Sequence, residues 1–207
     1  MKSSIFTLLV VLVALFSLEL IEAGKEKPNK YKTPVPAGHC KTAPIKSDGS
    51  QNPKGSCSSQ LLGDLPSASK MVSSVIVSPE NGAKVPANKN FTIRVEIANL
   101  QTGFFSDPET DYYDVPQTVN KNGIIQGHIH IVAQKLIGKG IPNPAIFEFF
   151  EGLNGVADDE GGLETETKLG PGLYRLCSMA SSEGHQPVVM PIAKRGAQDD
   201  CIRFTVA

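Results

Sequence analysis

The chain of 207 residues carries 20 Lys and Arg against 21 Asp and Glu, a formal net charge of −1, with 40% hydrophobic residues and no tryptophan. That balance excludes a polycationic nucleic-acid binder and a charge-rich disordered polymer, and the length admits one domain with a substantial core. Past the N-terminal region no apolar run approaches membrane-spanning length, which argues against an integral membrane protein.

In chain order, the first predicted element is a leader. Lys2 supplies a basic start, residues 5–16 are almost unbrokenly apolar, and Ala23 with Gly24 offers a small-residue cleavage point after Glu19 and Glu22 interrupt the run. Residues 1–23 therefore read as a secretory signal peptide, with a secreted, extracellular product beginning near Gly24. No lipid anchor is expected, because no hydrophobic tail precedes Ala207. Residues 24–70 hold eight lysines against three acids and are rich in Lys, Pro and Ser. They have too few large apolar residues for a core of their own and read as a mostly disordered basic arm. Residues 71–207, with eleven basic and sixteen acidic residues, form the acidic body.

Four cysteines, Cys40, Cys57, Cys177 and Cys201, make an even set suited to an oxidising compartment. None has the C-x-x-C spacing of a zinc or redox site. The expected pairs are Cys40 with Cys57, inside the arm, and Cys177 with Cys201, in two strand-like runs that can be neighbours.

Within the body, residues 74–77 read as a strand ending at the turn Ser78-Pro79-Glu80-Asn81-Gly82. The strict alternation Phe91-Thr92-Ile93-Arg94-Val95-Glu96-Ile97 then places four apolar side chains on one face, the pattern of a half-buried strand. Asn90-Phe91-Thr92 at its start is an N-glycosylation sequon with Asn90 as acceptor. Further strands are expected over residues 124–133, 173–179, 187–193 and 201–206. For residues 143–150 two readings stay open: a short helix capped by Asn143 with Pro144 at its first position, or an aromatic loop. Short strands divided by Pro and Gly turns indicate an all-β fold, an immunoglobulin- or fibronectin-like antiparallel β-sandwich over residues 71–207.

The constellation with chemical promise is Gly127-His128-Ile129-His130-Ile131. On a strand, His128 and His130 share one face. A third ligand is then needed for zinc or copper, and His185, with Asp199 and Asp200 behind it, is the candidate. The bland alternative is a pair of structural histidines. There is no Gly-x-Ser-x-Gly elbow, no His-Glu-x-x-His and no phosphate-binding glycine loop, so no organic cofactor is expected. A set of Ser178 or Ser181 with His185 and Asp199 is of the sort that chance supplies. Tyr112 and Tyr113, near Phe104 and Phe105, offer a sugar-stacking platform or a wall of the core.

The ordered blocks Ser78-Pro79-Glu80-Asn81-Gly82, Phe91-Thr92-Ile93, Asn99-Leu100-Gln101-Thr102-Gly103-Phe104, Gly127-His128-Ile129-His130, Phe149-Phe150-Glu151-Gly152-Leu153-Asn154, Gly172-Leu173-Tyr174-Arg175 and His185-Gln186-Pro187-Val188-Val189-Met190-Pro191 resemble a widespread family of small secreted fungal proteins of uncharacterised function. Members occur in basidiomycetes and among candidate effectors of rusts. The resemblance covers residues 70–206 and leaves the basic arm without a counterpart. It implies secretion and a fungal source and supplies no catalytic or binding residues to carry over. The first expectation is thus a non-enzymatic extracellular protein, a wall component or host-interaction protein, whose partner is a cell-wall polysaccharide or a host protein and not nucleic acid. The alternatives are a metal-binding protein or metalloenzyme using His128, His130 and His185, and a carbohydrate-binding module.

Overall fold

Alternating burial in the run around Ile93 organises the first sheet. In the computed structural model, which describes residues 44–45, 62–112 and 115–207, the strands are β1 (Ser73–Ser78), β2 (Lys84–Val85), β3 (Asn90–Ala98), β4 (Leu100–Gln101), β5 (Ile125–Lys135), β6 (Phe149–Leu153), β7 (Gly162–Lys168), β8 (Gly172–Ser182) and β9 (Cys201–Val206). Residues 1–23, read as a signal peptide, lie outside the described residues, as do Cys40, Cys57, most of the arm, Tyr113 and Asp114. On β3, Ile93 and Val95 are fully buried, while Arg94 and Glu96 on the opposite face reach solvent. Burying one such side chain contributes about 1.5–3 kcal/mol.

Two sheets share the core. One has the order β1-β3-β7, and the other runs β2-β9-β8-β5-β4 with β6 also paired to β5. Ile76, Ile93 and Val95 from the first sheet join Ile129, Ile131, Leu176 and Phe204 from the second in a single buried cluster. The described residues are therefore nearly all β, with one 3-10 turn at Ala68–Lys70. The long ladders β1–β3, β3–β7, β5–β6, β5–β8 and β8–β9 are antiparallel, whereas the two-residue pairs β2–β9 and β4–β5 run parallel, so the second sheet is mixed.

Two strands escape the sequence pattern. β7 (Gly-Leu-Glu-Thr-Glu-Thr-Lys) has one large apolar residue, Leu163, which faces Val95 in the ladder. Its Glu164, with Asp158 and Glu160 from the turn before it, serves the outer side: Arg94 sits 2.9 Å from both Asp158 and Glu164 and 3.3 Å from Glu160. Charges of this kind blunt a sheet edge rather than stabilise it much. β6 takes the end of the stretch for which helix and loop were both open. Asn143 Oδ1 accepts from the Ala145 amide (3.0 Å) and the Ile146 amide donates to Asn143 O (3.1 Å), giving one capped turn before Phe149 enters the ladder with β5.

The strand expected over residues 187–193 does not form. Pro187 and Pro191 have no N–H to give a ladder. A single bridge, Ser181 to Pro187, remains, and the Val189 amide and carbonyl are bonded instead to the side chain of buried Gln117 (2.8 and 3.0 Å). The same glutamine ties down the end of the stretch read as arm. Gln117 Nε2 donates to Asp64 O (2.7 Å) and its backbone amide to Leu62 O (3.1 Å), so residues 62–64 are tied to the body.

Cys177 and Cys201 are direct partners on β8 and β9 and form a disulfide across a sequence separation of 24 residues. A loop of that length contributes about 3 kcal/mol, largely by restricting the unfolded chain. The variant C177A/C201A is expected to lose about that much in equilibrium denaturation. A loss under about 0.5 kcal/mol would show that the bridge is dispensable.

Candidate metal centre

Strand periodicity fixes the first two histidines. β5 turns Ile129 and Ile131 into the core and His128 and His130 to the outer face of its sheet, opposite Ser181 and Met179 of β8. Gly127, just before them, has no room for a side chain: a Cβ would lie 2.0 Å from Ser181 O.

A tight reversal brings in the third. After β8 the His185 amide donates to Ser182 O (3.0 Å), and Gly184 passes so close to Val115 that a Cβ would meet its carbonyl oxygen at 2.2 Å. His185 itself adopts φ 65, a left-handed backbone that a non-glycine residue rarely takes and that is held only where its surroundings over-determine it. Its ring lands beside that of His128, with Nδ1 3.1 Å from His128 Nε2.

The segment after β4 clasps both rings. The Phe104 amide donates to Gly127 O (3.2 Å) and the Ser106 amide to Glu183 O (2.9 Å). The two carbonyls of the same residues then accept from the imidazoles, Phe104 O from His128 Nδ1 (3.1 Å) and Ser106 O from His185 Nε2 (2.8 Å). A carbonyl can only accept, so each contact puts the ring proton on that nitrogen. In the neutral rings His128 Nε2 and His185 Nδ1 are therefore both lone pairs, pointed at each other. Such an arrangement is repulsive until one proton or one cation lies between them. Two nitrogens on a tetrahedral zinc stand about 3.3 Å apart, close to the spacing here.

His130 completes the set, with the candidate ligand atoms of the three rings all within 4.8 Å of one another. A pair at the 4.8 Å limit must close by about 1.5 Å to share one tetrahedral ion at the usual metal–nitrogen distance of about 2 Å. Aromatic rings limit how the imidazoles can turn. Phe150 stacks on His130 (centroids 5.1 Å apart), His130 on His185 (5.7 Å) and Tyr112 on His185 (5.7 Å). Burial, followed by the neighbouring His185 charge, pushes His128 down to about 4. Burial, with His128 and His185 next, pushes His130 down to about 3. Both are neutral at pH 7, the form that binds metals.

His130 and His185 open on a cleft of about 490 Å³, lined also by Pro108, Tyr112, Met179 and Asp199, with His128 fully buried behind them. Burial raises the Asp199 carboxyl above the ordinary carboxylate range, while the Ala180 amide, donating to it at 2.7 Å, opposes that shift. Asp200 has a different task, accepting from the Ile76 amide (2.9 Å). Ser178 is buried against Ser74 (2.9 Å), and Ser181 Oγ is 3.4 Å from His130 Nδ1, so neither addresses His185 as a nucleophile would. Asn90 is exposed at the start of β3. The contributions of Phe104, Ser106 and Phe150 had no signal in the sequence, since two act through backbone oxygens and the third through strand register.

Fold and site together define a two-sheet β protein with a three-imidazole cluster in a surface cleft. The chain belongs to the family of the CLU5d N-terminal domain, which matches residues 74–207 and so contains all three histidines. It is 41% identical over 165 residues to "Pathogenicity cluster 5 protein d" of Colletotrichum graminicola, a match covering 77% of this chain and 34% of that protein. The chain thus spans about a third of the length of this fungal relative. A match of that extent is longer than residues 71–207, so the similarity reaches into the basic arm, which the resemblance read from the sequence had left without a counterpart.

Proposed function

We propose that the chain is a secreted fungal protein of the host-interaction, candidate-effector type, built around a three-histidine centre for one zinc or copper ion. The observation that carries the metal reading is the pair of opposed lone pairs, His128 Nε2 and His185 Nδ1 at 3.1 Å, each fixed by a carbonyl bond on the far side of its ring. Three imidazole ligands suit zinc and copper alike, and copper is bound more tightly at such sites. The Cys177–Cys201 disulfide supports an oxidising destination, and the pathogenicity name of the relative supports a host-directed role. We take the centre as a binding site, with any activity of the longer relative left to that protein. Native mass spectrometry after loading tests this: one zinc or copper ion per chain is expected, and a folded chain that retains none at micromolar metal overturns it.

A further inference from the structure

We propose that the histidine cleft is one end of a furrow that takes an acidic glycan of the uronate type, whose carboxylate at the other end is held by Arg175 and Arg203. These two residues are direct partners on β8 and β9, and like charges so placed weaken a ladder. Among the described residues every ion pair belongs to Arg94, so neither guanidinium of this pair faces a carboxylate. Arg175 donates to the Gln134 side-chain oxygen, and its Nε is buried with no hydrogen-bond partner. Two forked donors side by side match a carboxylate.

The furrow is continuous. A depression of about 460 Å³ at the arginine pair shares Arg175 and Cys201 with a middle one of about 420 Å³. That middle section shares Phe150, Met179 and Asp199 with the histidine cleft. His130 and Gln134, the ladder partner of Arg175, are four residues apart on β5, roughly 13 Å. The span suits a few pyranose units.

The middle is apolar and exposed, with Phe147 at 51% and Phe150 at 46%. Flat rings of this kind pack against the C–H face of a sugar. A peptide strand fits less well, because the furrow crosses the face of a sheet whose β5, β8 and β9 backbones are already paired with one another. Asp199 is the acid inside the furrow, and its Oδ1 is occupied by the Ala180 amide. The inference rests on the metal-centre reading at its histidine end, where a bound cation would meet a second carboxylate, and on the arginine pair at the other.

Calorimetry on the full chain, with and without one equivalent of zinc, would use polygalacturonate oligomers, neutral cello-oligosaccharides and a polyglutamate peptide. Binding of the uronate oligomer alone is expected, weakening with added salt. Arg203→Ala, at an exposed position, should lower that affinity at least tenfold without changing zinc uptake, and Phe150→Ala should weaken it too. No uronate binding by folded protein, an unchanged R203A affinity, or equal binding of polyglutamate overturns the furrow. Zinc uptake without uronate binding removes the glycan alone, whereas an arginine-dependent uronate affinity without zinc uptake removes the metal centre alone.

Discussion

Replacing His185 with asparagine is expected to lower zinc or copper affinity by at least about 100-fold while the domain stays folded. Loss of a partner that merely orients a metal ligand costs 10–100-fold, and loss of one ligand in three costs more. Asparagine suits the test because it tolerates the left-handed backbone that His185 adopts, which alanine would strain. His128 is the wrong residue for a clean removal. It is fully buried, whereas His185 is only half-buried, so His128→Ala opens a cavity and leaves the part-buried Phe104 O unmatched, at a cost of about 1–3 kcal/mol, in addition to removing the ligand. Metal titration monitored by calorimetry, with thermal melting beside it, separates the two variants. H185N should lose the metal-induced rise in Tm and keep the metal-free Tm to within a few degrees. An H185N protein that still binds zinc with native affinity would remove His185 from the centre.

Acid should unfold the metal-free protein before it protonates ordinary carboxylates. In the unfolded chain His128 and His130 take up protons near pH 6.5, whereas in the fold burial holds them down to about 4 and about 3. Between those limits the unfolded state binds more protons, so stability rises with pH across that window and is fully present above it. Lowering the pH from 7 to 4 is expected to remove on the order of a few kcal/mol. Asp199 runs the other way: its folded pKa is raised, so the fold gains slightly as that group protonates. A bound ion sharpens the acid transition, since protons must then also displace it from the rings. Chemical denaturation at stepped pH measures the slope directly, and a flat profile between pH 7 and 5 would contradict the buried, neutral state of both rings.

The parts of the molecule legible in advance are those governed by period two. Ile93 and Val95 alternate with Arg94 and Glu96, and His128 and His130 share a face because Ile129 and Ile131 take the core. The approach of His185 was inferable only as a chain reversal after the strand that bears Cys177. What sets it, the close pass of Gly184 at Val115 and the clasp by Phe104 and Ser106, depends on backbone atoms far apart in sequence that carry no side-chain signature. β7 was hidden because a strand supported by one leucine and a row of Thr and Glu has almost no hydrophobic pattern. Residues 187–193 misled in the opposite sense, since Val188 and Met190 are buried but the flanking prolines and Gln117 take them out of any ladder.

The central claim is that His128, His130 and His185 converge on one ion. X-ray absorption at the zinc or copper edge, on stoichiometrically loaded full-length protein, reports the ligand set directly. Three imidazole nitrogens at about 2.0 Å are the predicted shell, falling to two in H185N. A shell of oxygen alone, or one unchanged by the substitution, would place the ion elsewhere and contradict the account.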